Sequence, residues 1–463
     1  SIKEKGLIRM MKNWSSILEA PILKTDIPGP KSRELIEIQD KMETSSRSYT
    51  RFFRVAVDKG IGSTVVDVDG NVFIDWFGGV SVMNLGHGNP VVIEAIKRQL
   101  DKISHITEMP TEARIEFLKT LDSTLPDGMK NKSKVLFTVT GGDACEAAVS
   151  LAKYQSKKNT IISFSGSYHG VAGGIVNATA NNHYREYAGF ENSSFYHIPY
   201  PYTYRFPWKV PKDDISKSVV EYTEYLIKDN YSGISPVGGI LVEPIQGEGG
   251  YIVPPDDFLP MLKEVSDKFS IPLIIDEVQS GVGRTGKIWA TEHYRVKPDI
   301  MCISKSIGGG IPISAIVYRE DYDNIPQSFH LGTYRGNPLG LAAGTAILNY
   351  LKNSGILDRV KNKGEYLKKR FSDIEKGNEM IGEVRGKGYM IGIELNSDKN
   401  KTPGTAEASA LRDKMFRNGV LMHTCGHYSN VMRFMAPLNI EDQLIERGIE
   451  IFEDSIRKVR DKK

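Results

Sequence analysis

An amine and a carboxylate each stand at the end of a short apolar run. In DIMCISKSIGGG, Asp299 to Gly310, Lys305 follows Ile300, Met301, Cys302 and Ile303 and closely precedes three glycines. Such a run, bounded by Asp and Gly, reads as a buried strand of a parallel sheet, and the glycines let backbone come close to a bound group. Lys305 is then either a solvated loop lysine or a desolvated amine with a lowered pKa, able to form a Schiff base with a carbonyl cofactor. In LIIDE, Asp276 closes the run Leu273, Ile274, Ile275. Asp276 and Glu277 either cap a following helix or pair with a base, or Asp276 faces the protonated nitrogen of a pyridinium cofactor and keeps that ring an electron sink. Lys305, one strand later, favours the last alternative.

Two further stretches suit the same chemistry. FTVTGGDACEAAVSLAKYQ reads as a strand, a Gly141-Gly142 turn and a helix built on Ala144, Ala147, Ala148, Leu151 and Ala152. Backbone N–H groups at the helix start, around Gly142 and Asp143, form an anion site that a phosphate can approach, although Gly-Gly at a helix start is more often only a turn. In SGSYHG, Tyr168 is an aromatic able to stack on a flat ring and His169 adjoins it. Taken alone, either residue is as well explained by packing.

The elements that must position these residues alternate along the chain. KVLFTV, TIISF, GGILVEP, IPLIIDE, DIMCIS and PISAIVY are short apolar runs bounded by Gly, Pro and Asp, separated by helical patterns. That alternation predicts an α/β fold with a mostly parallel sheet. In DDFLPMLKEVSDKFS the residues Phe258, Leu259, Leu262, Val265 and Phe269 fall near one helical face, as a crossover helix requires. Upstream, STVVDVDGNVFIDW alternates around Asp69-Gly70 and predicts a β-hairpin. The pattern changes after PLGLAAGTAILNYLKNSG, and the glycine-rich IGEVRGKGYMIGIEL, a helix and NVMRFMAPL point to a smaller α+β domain ending in a helix from about Glu441. The expected organisation is residues 1–62 as an N-terminal arm and part of the small domain, 63–353 as the large cofactor-binding domain, its first hairpin contributing to the small one, and 354–463 as the C-terminal small domain.

Bulk properties narrow the partners. The 463 residues carry a formal net charge of +3 with both signs spread along the chain, so no nucleic-acid footprint or membrane-surface patch stands out. No stretch of roughly 18 apolar residues occurs, and neither a signal peptide nor a membrane span is expected. Cys145, Cys302 and Cys425 lie far apart without metal-ligand spacing, which argues against a disulfide framework or a structural zinc site and fits a reducing, cytoplasmic setting. Small molecules are the expected partners, with no metal.

LIIDEVQSGVGRTG followed by PDIMCISKSIGGGIPISA, together with VEPIQGEGG, SYHG, GTYRGNP and MRFMAPLNI, resembles the class III, or ω-amino-acid, family of pyridoxal-phosphate aminotransferases, in particular its 4-aminobutyrate aminotransferase-like group. The resemblance runs from about Asp26 to the end. It implies fold type I, with a large, mostly parallel seven-stranded sheet domain and a smaller α+β domain, pyridoxal 5′-phosphate as cofactor, and transamination between an amine or amino acid and an α-oxo acid. On the matching positions, Lys305 is the Schiff-base lysine and proton carrier and Asp276 the ring-nitrogen partner. Gln279 sits near the ring hydroxyl, and Val278 presses on the ring face opposite Tyr168, with His169 and Glu243 in the accompanying motifs. Gly141, Gly142 and Asp143 form the phosphate cup. Thr333 reaches the phosphate of the neighbouring subunit, which implies a homodimer with shared active sites; pairing of dimers into tetramers stays open. Arg433 grips the substrate carboxylate, Glu248 neutralises it when other substrates bind, and Val80 lines the pocket or packs the core.

The sequence departs from the family pattern at three places. Val171 stands where an arginine usually follows the His-Gly of the YHG motif, which removes the expected partner of a distal carboxylate. Gly142 stands where Ser or Thr is common, so a hydroxyl contact to phosphate is missing. Arg335, in TYRGNP, either replaces that contact or forms a surface ion pair. Two other functions remain in view: a racemase or epimerase on the same scaffold, and a cofactor-binding protein without catalysis, which retention of Lys305, Asp276 and Arg433 disfavours.

Overall fold

The computed structural model describes residues 14–188 and 194–461. The chain divides into two compact units, one gathering residues up to Glu94 with Tyr366–Val384 and Ile391–Lys463, the other Ala95–Glu365 with Arg385–Met390.

The first unit opens with the expected hairpin. Strand β1 (Val57–Ile61) pairs antiparallel with β2 (Thr64–Asp67), and β2 with β3 (Val72–Asp75), in the register Thr64↔Ile74. Gly70 supplies the left-handed turn residue with φ 84°. Despite the alternating sequence every residue of β2 and β3 is buried, because the polar members are satisfied internally. Asp75, for instance, accepts from the N–H groups of Phe77 and Gly78 and meets His87 Nε2 at 2.7 Å. A helix, Pro30–Met42, precedes the hairpin within the segment expected as an N-terminal arm, and proline at its start fits the first helical turn.

The second unit holds the large sheet. Its strands are β4 (Ser133–Thr138), β5 (Thr160–Phe164), β6 (Phe195–Ile198), β7 (Val237–Val242), β8 (Leu273–Asp276), β9 (Ile300–Ile303) and β10 (Ser314–Arg319). Seven strands run in the order β4-β10-β9-β8-β7-β5-β6. All pairs from β9 to β6 are parallel, and β10 alone runs against both its neighbours. β7 to β9 are buried throughout, as continuous apolar strands of a sheet covered on both faces must be. The helix Gly141–Ser156 lies over one face, with Ala144, Ala147, Ala148, Leu151 and Ala152 buried against Ile161, Leu241, Ile274 and Ile300. Small side chains allow this close approach. The helix Phe258–Lys268 covers another apolar cluster with Phe258, Leu259, Leu262 and Val265, while Phe269 falls just past its end and packs at the margin.

The remaining strands are β11 (Ile381–Lys387), β12 (Met390–Leu395), β13 (Val420–Leu421), β14 (His423–Cys425) and β15 (Val431–Phe434), and β13 to β15 lie in the first unit. β13 adds to β3, and the other four form a sheet in the order β11-β12-β15-β14. The last helix, Asp442–Arg460, starts one residue after Glu441 and buries Leu444, Ile449, Phe452 and Ile456. Among the described residues no helix is long and apolar enough to cross a membrane.

Candidate active site

Parallel pairing places the chemical residues at one edge of the large sheet. Ile274 pairs with Ile300 and Asp276 with Cys302, so Asp276 and Lys305 both emerge at the carboxyl ends of adjacent strands. The Gly141-Gly142 turn follows β4, Tyr168 and His169 follow β5, and Glu243 follows β7. This is the edge where open α/β sheets bind ligands.

Asp276 is 4% exposed, and both its oxygens accept hydrogen bonds. Its Oδ1 accepts from the backbone N–H of Val278 at 2.9 Å, and Oδ2 meets His169 Nδ1 at 2.7 Å and accepts from Cys145 Sγ at 3.3 Å. An ionised carboxylate only accepts, so His169 carries its proton on Nδ1. That leaves Nε2, which is buried with no hydrogen-bond partner among the described residues. Cys145, His169 and Asp276 offer metal-ligand atom types within 4.8 Å of one another, and two donors converging on one acceptor account for the cluster. Glu277 behaves differently from its neighbour: its carboxylate accepts from the N–H groups of Ala290 and Thr291 and from Ser280 Oγ. The two acids thus divide the readings offered for them, Glu277 capping a local turn and Asp276 meeting a base.

Lys305 opens a short 3₁₀ turn after β9 and adopts φ 51°, a left-handed conformation uncommon outside glycine, with Gly309 (φ 57°) and Gly310 (φ 102°) continuing the bend. Such a backbone persists only when its surroundings fix it, and it concentrates at functional sites.

The helix Gly141–Ser156 begins at Thr140, whose side chain accepts from the N–H of Asp143. A Cβ on Gly141 would sit 2.8 Å from Val278 Cγ1, and one on Gly170 would sit 2.6 Å from Gly142 Cα. The YHG segment therefore packs on the backbone of the helix start, and the Val278 side chain on Gly141, which larger residues at 141 and 170 would prevent. Asp143 accepts from Val139 N–H at 2.8 Å and meets His330 Nε2 at 2.7 Å, and the His330 contact holds its carboxyl below the usual range.

Glu243 joins two of the motifs. One oxygen accepts from Tyr168 N–H at 3.0 Å and the other from Gly247 N–H at 2.8 Å. Burial pushes its carboxyl up to about 7, opposed by His169 and reinforced by Asp276. Gln279 lies against Gly247, whose added Cβ would come 2.5 Å from Gln279 Oε1, and that oxygen is buried with no partner among the described residues. Glu248 is partly buried in the same turn.

Other expected residues lie elsewhere. Arg335 pairs with Glu108 and donates to the carbonyls of Phe329 and His330, so its fork is occupied by the chain itself. Thr333 is exposed beside exposed Leu331 and Tyr334. Val171 is 46% exposed. Val80 and Arg433 belong to the first unit: Val80 takes φ 62° between Gly79 and Ser81, and Arg433 is buried on β15 opposite Gly392 and His423. Sequence reasoning missed Cys145, His330 and Thr179, which accepts from His169 N–H and donates to Gly170 O. For Cys145 the one available signal was its place a turn beyond the Gly-Gly.

A buried carboxylate, a lysine at the same sheet edge, a glycine-lined helix start and the flat and aliphatic side chains of Tyr168 and Val278 are parts that could hold a planar, phosphate-bearing heterocycle. The unpartnered His169 Nε2 and Gln279 Oε1 are polar atoms that such a group can satisfy.

The chain matches the family model described as aminotransferase class-III over residues 44–456. It is 34% identical over 423 residues to the diaminobutyrate–2-oxoglutarate aminotransferase of Rhizobium meliloti (strain 1021), covering 89% of this chain and 90% of that protein. It is 32% identical over 449 residues to the alanine/serine racemase of Pyrococcus horikoshii, covering 95% of this chain and 94% of that protein. Among solved structures, an amine transaminase from an uncultivated Pseudomonas species in its PLP-bound form superposes with a TM-score of 0.81 at 27% identity, over 90% of this chain and 98% of that one.

Proposed function

Because the chain belongs to the class III aminotransferases and uses pyridoxal phosphate to move amino groups between amines and oxo acids, we propose that Lys305 anchors the cofactor covalently, Asp276 binds its ring nitrogen and the helix start at Gly141, Gly142 and Asp143 receives its phosphate. When bound, the cofactor supplies an electron sink for the bond broken at the substrate carbon.

The protein's own residues do the rest. Asp276, anionic and held by His169 and Val278, keeps a proton on the ring nitrogen. Lys305 would hold the cofactor and, with its amine free, would carry the proton to and from the substrate carbon. Tyr168 and Val278 bracket the ring, Gln279 uses its free oxygen, and Glu243 fixes the Tyr168 segment against the Gly247 turn. Arg433 binds the carboxylate of an α-oxo acid of the 2-oxoglutarate or pyruvate type, and Glu248 compensates it when the bound molecule has none. Val80 lines the pocket. Thr333, on an exposed loop between Leu331 and Tyr334, serves the site of a second copy in a homodimer. The single observation that carries this assignment is the buried Asp276 carboxylate, engaged by two side-chain donors at the sheet edge from which Lys305 emerges.

Donor choice follows from Val171 and Arg335. With valine at 171 and Arg335 tied to Glu108, a distal carboxylate finds no cation from either residue. Amines and amino acids with apolar or amino-bearing side chains are the proposed donors, in keeping with the diamino acid named for one relative. The 32% identical racemase keeps a second reading open, in which the proton returns to the opposite face of the same carbon. Incubating the holoenzyme with one amine or amino acid at a time, without acceptor, separates them. Transamination converts the cofactor to its amine form with stoichiometric release of oxo product; racemisation leaves the cofactor unchanged while optical rotation decays.

A further inference from the structure

Cys145 is given no role of its own above, yet its thiol is one of the two side-chain donors on the central carboxylate. Its sulfur lies 3.3 Å from Asp276 Oδ2, the oxygen that also meets His169 Nδ1 at 2.7 Å. Cys145 is wholly buried. It sits on the helix whose first turn holds Gly141 and Gly142, four residues further on, or about 6 Å along the helix axis.

We infer that Cys145 is a positioning residue for the transamination reaction: its thiol donates to Asp276 and ties the phosphate-binding helix to the carboxylate that would keep the cofactor's ring nitrogen protonated. The inference rests on the proposed role of Asp276. The thiol is held as a donor by its surroundings: contact with Cys302, burial and the Asp276 charge all push its pKa well above the ordinary thiol range. Cys302 is paired in register with Asp276 on β9 and turns its own sulfur to Ala144 O at 3.8 Å, so it packs beneath Cys145 without contacting the carboxylate in a hydrogen bond. A donor to an anion stabilises the charged form, and without it the proton shared between Asp276 and the ring moves toward the carboxylate. One weak sulfur donor removed from a carboxylate that keeps two stronger ones changes the rate modestly.

The test uses the holoenzyme with Cys145→Ala, Cys145→Val, which keeps bulk without a donor, and Cys145→Ser, which keeps the donor. Expected for Ala and Val are a kcat about 3- to 10-fold lower with KM for donor and acceptor within about 2-fold of wild type. The ¹⁵N resonance of labelled cofactor should move toward the unprotonated pyridine position in those two variants, while Ser stays close to wild type in both measurements. Cys302→Ala should leave kcat and the resonance unchanged, and in an Asp276→Asn background Cys145→Ala should add nothing. Wild-type kcat and ¹⁵N shift in Cys145→Val, or an equal loss in Cys302→Ala, would overturn the inference. If Asp276→Asn itself keeps full turnover, it is the underlying role of Asp276 that fails.

Discussion

His169 Nδ1 meets Asp276 Oδ2 at 2.7 Å across 107 residues of sequence, and both side chains are buried. The imidazole fixes the carboxylate's orientation, so the pair presents one directed acceptor at the carboxyl end of β8.

Replacing that carboxylate tests it. Asp276→Asn preserves shape but cannot hold a proton on the ring nitrogen, and kcat should fall by about 100-fold or more while the fold is kept. Steady-state kinetics and a thermal melt check this; near-normal turnover would contradict the assignment.

Arg433 should act on acids alone. A charge-assisted bidentate contact contributes about 1.5–3 kcal/mol, so Arg433→Ala should raise KM for 2-oxo acids about 10- to 150-fold and scarcely change KM for an amine donor without a carboxylate. Equal effects on both would make the buried arginine structural.

Val171→Arg should improve kcat/KM for 4-aminobutyrate relative to an aralkyl amine, because a distal carboxylate entering without a cation is desolvated uncompensated. Arg335→Ala should leave that preference unchanged, since Glu108 and two carbonyls already occupy the Arg335 fork. A wild type that prefers 4-aminobutyrate and loses the preference in Arg335→Ala would identify Arg335 as the carboxylate receptor.

Glu277 gives stability a pH dependence. Burial raises its carboxyl from 4.5 to about 7, against the hydrogen bonds from Thr291, Ala290 and Ser280. Between those values the folded state binds more protons than the unfolded state, so stability that is full below pH 4.5 is lost as pH rises through about 7. The melting temperature of Glu277→Gln should therefore decline less from pH 5 to pH 8 than that of the wild type, as scanning calorimetry at both pH values would show.

Strand positions were legible in the sequence because buried parallel strands need uninterrupted apolar residues: LIID and IMCI coincide with β8 and β9, and the six runs recognised all became strands of the seven-stranded sheet. β6 (Phe195–Ile198) escaped because an edge strand reading FYHI is bounded on one side only, and its partly buried residues show no clear run. Lys305 and Asp276 stood out because a charge ending an apolar run is costly without a purpose. What supports Asp276 did not stand out. His169 and Cys145 reach it from 107 and 131 residues away, through a strand order that no local pattern encodes. The engagement of Arg335 by Glu108, 227 residues apart, was hidden for the same reason.

The central claim is that Lys305 carries the cofactor. Reducing the holoenzyme with borohydride makes the lysine–cofactor bond permanent, and peptide mass spectrometry then locates the added pyridoxyl mass. The account predicts that mass on Lys305 and its disappearance, with turnover, in Lys305→Ala. Recovery of the label on another lysine of the wild-type protein, or an unchanged visible spectrum and rate in Lys305→Ala, would contradict it.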